Sequence, residues 1–251
     1  MRKILILIFL LIIILSANGQ QVWPDKLVVI LDSGHGGEDT GCHPLHSNFF
    51  ENGYCYDVAL RLEKMLKDNG IIVFKTTKDK KRKISDNIYL PPLSKAVFTI
   101  NGKIVKNGMG LYNRTDFGNE KLEKYYNYEV FFISIHFDVS NSSFLGARII
   151  KEKGNYKSNL FSDILEKEFQ KKNLLSNSFV PVFENGDSIN YKRHLHVLSY
   201  KNKISPKVLI ELGNTNNNQD LLRIQNPSIR EEYAKVIFIA LEKYTQKTDY
   251  K

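Results

Sequence analysis

Apolar residues fall into short dense runs whose period alternates between strand and helix. Lys26-Leu-Val-Val-Ile-Leu31 is a near-continuous apolar run, stopped by Asp32-Ser-Gly-His-Gly-Gly37. That is the pattern of a strand buried on both faces. From Asn52 to Asn69 the period becomes helical: Val58, Leu62, Met65 and Leu66 share a stripe, and Asn69-Gly70 supplies the stop. Ile71 to Phe74 predicts a second buried strand. Together they make a βαβ unit, which implies parallel pairing with a right-handed crossover.

Lys78 to Asn107 is basic and irregular, and Pro91-Pro92 interrupts it. Within it, Val97–Ile100 and Lys103–Val105 flank Asn101-Gly102, which suits a two-residue hairpin turn. Leu111 to Tyr126 predicts a helix, Val130–Ile135 a buried strand and Ala147–Ile150 an edge strand. Ser158 to Lys172 carries an amphipathic stripe of Leu160, Phe161, Ile164, Leu165 and Phe169. Leu195–Ser199 predicts a short strand, Lys207–Glu211 a further strand and Ser228–Lys243 a closing helix. The expected fold is a single α/β domain: a mostly parallel or mixed twisted sheet of about six strands flanked by helices. A surface insertion with a small hairpin is expected over residues 80–110.

The N-terminus follows a different logic. Arg2 and Lys3 precede an unbroken apolar run, Ile4–Leu15, and then Ser16-Ala17-Asn18-Gly19. A spanning helix needs about 20 apolar residues, so the run reads as a secretory signal peptide over residues 1–19, cut before Gln20. The domain then occupies residues 20–251. The whole chain of 251 residues carries a net charge of +9, and without Arg2 and Lys3 the balance is 34 basic against 27 acidic residues. For an exported chain this points to acidic wall polymers or membrane surfaces rather than nucleic acid. Export also permits a bridge between the only cysteines, Cys42 and Cys55. It would contribute roughly 3 kcal/mol by loop closure; two unpaired thiols are the alternative.

Three predicted strands stop at residues that can do chemistry: the first runs into His35, another into His136, and the last ends on Glu211. In open α/β sheets, ligands bind beyond the carboxyl ends of strands, so these residues can converge. Glu51, at the entrance of the first long helix, comes to the same edge, although the helix dipole alone would also favour a Glu there. Two imidazoles and one carboxylate suit a catalytic zinc, leaving one position for water. A separate carboxylate, Glu211, could then move protons. The Gly-Lys-Ser/Thr ending of a phosphate loop is absent, and so is His-Glu-x-x-His.

Val29-Ile-Leu-Asp-Ser-Gly-His-Gly-Gly37 resembles the first signature of the zinc-dependent N-acetylmuramoyl-L-alanine amidases of the amidase_3 type. Glu51 stands at the second-ligand position of that family, and Ser134-Ile-His136 resembles the third-ligand signature. Thr76–Asp79, the trio Leu111, Arg114 and Asn119, and Val208–Gly213 with Asn217 are similar to further family segments, in order. Asp138, Asn214 and Lys78 depart from the common residues at their positions.

The resemblance implies one Zn2+ held by His35, Glu51 and His136, with Glu211 as catalytic base. Arg114, Asn119 and Asn217 become candidates for positioning substrate, as do the loop histidines His43 and His46. The implied reaction is hydrolysis of the amide between N-acetylmuramic acid and L-alanine in peptidoglycan. An activator protein is a candidate partner, the chain is expected to be a monomer, and periplasm is expected over the extracellular space. The rival readings are a non-catalytic wall-binding or activator module on the same fold, and a zinc peptidase acting on wall peptides.

Overall fold

The computed structural model describes residues 23–24, 26–42, 48–93, 97–100, 103–105, 110–178, 180–186 and 194–248, without the side chains of 97–100, 103–105 and 111. The expected signal peptide lies outside them, as do His43, His46 and the Asn101-Gly102 turn. Among the described residues, no helix is long and apolar enough to cross a membrane.

A six-stranded sheet carries the fold. Its strands are β1 (Leu27–Ser33), β2 (Ile72–Lys75), β6 (Glu129–Asp138), β7 (Arg148–Lys151), β8 (Val182–Glu184) and β9 (Lys207–Asn214). They lie in the order β2-β1-β6-β9-β7-β8. The first four strands in that order are mutually parallel, while β7 runs antiparallel to β9 and parallel to β8. Parallel pairing puts the carboxyl ends of β1, β6 and β9 at one edge of the sheet. A second sheet, β3-β4-β5, is formed by Thr77–Lys78, Val97–Ile100 and Lys103–Val105.

The helices are α1 (Glu51–Asp68), α2 (Gly110–Lys124), α3 (Tyr156–Lys171), α4 (Asn218–Gln225) and α5 (Pro227–Thr248). Side chains alternate across the sheet, and both faces are covered. Val29, Leu31, Ile133 and Ile210 face one apolar cluster with Val58 of α1, Phe161 of α3 and Tyr233 of α5. Val28, Ile30, Phe132 and Leu209 face the other, with Phe117 of α2 and Val197. Each large apolar side chain buried this way contributes about 1.5–3 kcal/mol.

Several expectations need correction. Ala147–Ile150 is not an edge strand, because β8, only three residues long, covers β7 on that side. Leu195–Ser199 forms a 3-10 turn at His196–Leu198 rather than a strand. The short helix α4 had no long apolar stripe to announce it; Asn217 caps it through hydrogen bonds from the Gln219 and Asp220 N–H groups. Both β6 and β9 run past their last purely apolar stretch, so His136 lies inside its strand rather than beyond it, and Glu211 lies inside its strand rather than at its end.

The start of the 80–110 segment is clamped rather than loose. Arg61 and Arg230 both donate to Asp57 Oδ2, at 2.9 and 2.7 Å, and both donate to the Ser85 carbonyl. Asp57 Oδ1 accepts the Ser85 N–H, and Arg230 also donates to the Asn87 carbonyl. Leu93 is buried; its carbonyl accepts the Gly37 N–H and its N–H donates to Asn52 Oδ1. The insertion thus ties the loop after β1 to the first turn of α1.

Candidate metal centre

His35 follows β1 with φ at +61°. The left-handed region costs a non-glycine residue roughly 1–2 kcal/mol. Arg114 offsets that cost: it donates to the carbonyls of Ser33 and His35, at 2.7 and 2.6 Å, and to Asp32 Oδ1 at 2.5 Å. Asp32 is fully buried and also accepts from Ser134 and Thr76, both at 2.6 Å. Burial alone would raise its pKa, but Arg114 and the two hydroxyls hold it below the usual carboxylate range. The Thr76 of the sequence resemblance therefore serves the base of the His35 loop.

Glu51 opens α1 and is only 2% exposed. The Cys42 N–H donates to its Oε2 at 2.8 Å and the Phe137 N–H to its Oε1 at 3.0 Å. Its remaining directions face the two imidazoles: His35 Nε2 lies 3.2 Å from Oε2, and His136 Nδ1 lies 3.2 Å from Oε1. Against the raising effect of burial, these contacts hold Glu51 well below the usual carboxylate range, hence ionised. The rings of His35 and His136 meet edge to face at 5.1 Å. A Cβ at Gly34 would lie 2.4 Å from the His136 ring, and one at Gly41 would lie 2.6 Å from Glu51 Oε2. Both glycines are therefore required by close approach.

The donor set fits a divalent metal. One ligand atom from each of His35, Glu51 and His136 can be chosen so that all lie within 4.8 Å of one another. His35 Nδ1 donates to Asp39 Oδ2 at 2.8 Å, so Nε2, which faces Glu51, is the nitrogen that a metal would take. A carboxylate on the far nitrogen is the usual orienting partner of a metal-binding imidazole. Burial would lower the His35 pKa, yet Asp39 and Glu51 raise it to about 10. Surroundings that favour positive charge on His35 so strongly also favour a cation among the same groups.

Glu211 completes the site. It stands directly beside His136 in the register of β6 and β9, and opposite Arg148 in that of β7 and β9. It is 7% exposed, and Oε2 has no hydrogen-bond partner among the described residues. Burial first, then the charges of Asp138 and Glu51, push its pKa well up. A cavity of about 470 Å³ is lined by His35, Glu51, His136 and Glu211 together, a size suited to a small-molecule-sized portion of substrate.

The candidates for substrate positioning fare differently. Arg114 lines the cavity, but its guanidinium braces Asp32 and the His35 loop. Asn119 clips α2 to the chain before β9, donating to the Lys201 carbonyl and accepting from the Lys203 N–H, each at 2.9 Å. Asn217 caps α4 and donates to the Ser142 carbonyl. Cys42 and Cys55 are free thiols rather than a bridge. Cys55 Sγ instead points to Glu51 Oε1 at 4.0 Å, and Cys42 Sγ accepts from Thr215 at 3.3 Å. Sequence reasoning missed Asp39, whose only signal is a carboxylate four residues after a ligand histidine. It also left His194 and His196 without a role; both line the cavity.

Known proteins share the family signature and the fold. A family model described as N-acetylmuramoyl-L-alanine amidase matches residues 29–243. An uncharacterized cell wall amidase of Bacillus anthracis is 26% identical over 220 residues, covering 86% of this chain and 35% of that protein. The chain thus spans about a third of that relative's length. The CwlD amidase of Clostridioides difficile, solved in complex with the GerS lipoprotein, superposes with a TM-score of 0.64 at 22% identity, over 89% of this chain and all of that one. An N-acetylmuramyl-L-alanine amidase of Mycobacterium smegmatis gives 0.62 at 15% identity, over 88% of this chain and 98% of that one.

Proposed function

The chain belongs to the N-acetylmuramoyl-L-alanine amidase family, and on that footing we propose that it is an exported zinc amidase that releases stem peptides from peptidoglycan. The observation that carries the reading is the convergence of His35, Glu51 and His136 with Glu211 on one cavity. A Zn2+ held by those three donors would supply a Lewis acid for the scissile carbonyl and would lower the pKa of a bound water.

The protein's own residues supply the rest. Glu51, fixed by two backbone N–H groups, keeps its charge at the site, and Asp39 holds His35 in the tautomer that presents Nε2. Glu211 is the proton carrier. Burial, and after it the charges of Asp138 and Glu51, raise its pKa, and a cation held by the neighbouring ligands would draw Glu211 back toward its ionised form. It then takes a proton from water as the water oxygen bonds to the carbonyl carbon. It returns that proton to the nitrogen of L-alanine as the C–N bond breaks. The products are a lactyl carboxylate on the sugar and a peptide with a free amino terminus.

The net charge of +9 suits an anionic wall environment. The lipoprotein complex of the C. difficile amidase supports the reading that a partner protein also engages this chain. Mass spectrometry of peptidoglycan digested by the zinc-loaded protein tests the reaction. Intact stem peptides beginning with L-alanine are expected; peptides cut internally would assign a peptidase instead.

A further inference from the structure

The cavity has two chemically different sides. One is built by the first turn of α2 and by the segment through the 3-10 turn, with Gly110, Leu195, His196 and Val197 in its wall. Arg114 is the cation on this side, and its charge is bound to the buried carboxylate of Asp32. The other side is formed by the end of β6, where Asp138 faces the cavity and pairs with Arg148 at 2.5 Å.

At the lip of the first side stands Tyr112. It is 70% exposed, yet its ring is set: its centroid lies 4.5 Å from that of His196, inclined at 61°. His196 lines the cavity itself. The Tyr112 ring, packed at an angle on His196, thus adds an exposed aromatic face next to the cavity wall.

We propose that Tyr112 and His196 form a platform that receives a pyranose ring of the glycan strand, leaving the peptide to extend toward the end of β6. The proposal rests on peptidoglycan being the substrate. The amide cut in that substrate joins a sugar to a peptide, so the two halves must leave the reacting centre in different directions. A pyranose presents a face of C–H bonds with slight positive charge, which packs on the negative face of an aromatic ring.

The test uses zinc-loaded protein and two separate probes: peptide-free glycan tetrasaccharide and free stem tripeptide, each titrated by calorimetry. Tyr112→Ala is expected to weaken glycan binding about tenfold, with tripeptide affinity unchanged, and Tyr112→Phe to stay within about twofold of the parent on both. Glycan affinity unaltered in Tyr112→Ala, or equal loss in Tyr112→Ala and Tyr112→Phe, would overturn the platform. The same samples are assayed on intact peptidoglycan. Cleavage with unaltered glycan binding removes only the platform, whereas Tyr112-dependent glycan binding without any cleavage removes only the amidase reading.

Discussion

His136 and Glu211 are direct register partners on the adjacent parallel strands β6 and β9. One offers a metal ligand, the other a carboxyl whose Oε2 is buried and unpartnered among the described residues. A backbone ladder sets the spacing of these two residues, while His35 is brought to them by the loop after β1.

Asp39 orients His35 but is itself 64% exposed on its side chain. Orienting partners of this kind change metal affinity by roughly 10–100-fold, and solvent exposure places Asp39 at the low end. Asp39→Asn is therefore expected to weaken zinc binding about tenfold in chelator competition. Unchanged zinc affinity would show that Arg114 and Glu51 alone hold the imidazole.

Arg114 and Asp32 form a buried ion pair under the His35 loop. Arg114→Met leaves Asp32 buried without its cation, and a loss of about 3–5 kcal/mol is expected in urea unfolding. The sign with pH follows from the lowered Asp32 pKa. Its contribution is present above the ordinary value of 3.8 and is lost as pH falls through the folded-state pKa. Asp32→Asn should therefore remove part of the acid limb of the stability profile. A variant at Arg114 with parental stability but raised KM would instead return it to substrate binding.

The clamp on residues 82–93 predicts a comparable cost elsewhere. Arg230 is fully buried and shares Asp57 with Arg61. Arg230→Met should destabilise the fold by about 3–5 kcal/mol and speed hydrogen exchange at Ser85, whose N–H bonds to Asp57. Exchange unaltered at Ser85 would place the strap's anchor elsewhere.

Metal removal should act on both stability and activity. A chelator is expected to abolish hydrolysis and lower the unfolding free energy, and zinc at 100 times its Kd should restore about 2.7 kcal/mol. Full activity after exhaustive chelation would rule out the metal-assisted reaction.

How far the sequence reaches depends on the type of signal. The βαβ start, β6, β9 and the stripe of α3 are long apolar patterns, and the structure has them within a few residues. His35, Glu51 and His136 were readable as candidate ligands because each adjoins such a pattern. The missing elements are the short ones: β8 has three residues and α4 eight, too few for periodicity to declare them. Overlooking β8 turned β7 into an edge. Asn119 and Asn217 illustrate the other limit, since a polar side chain in a family-like position can serve a helix cap or a loop clip as well as a substrate. In this structure both side chains hydrogen-bond to the protein.

The central claim is that Glu211 moves the proton while His35, Glu51 and His136 hold the metal. Glu211→Gln preserves the shape of the side chain and removes its basicity. Zinc content by atomic emission and peptidoglycan turnover should be measured on the same sample. The account predicts parental zinc stoichiometry with turnover reduced by roughly 10²–10⁴-fold, the usual contribution of a general base. Parental turnover in that variant, or loss of zinc along with activity, would contradict it.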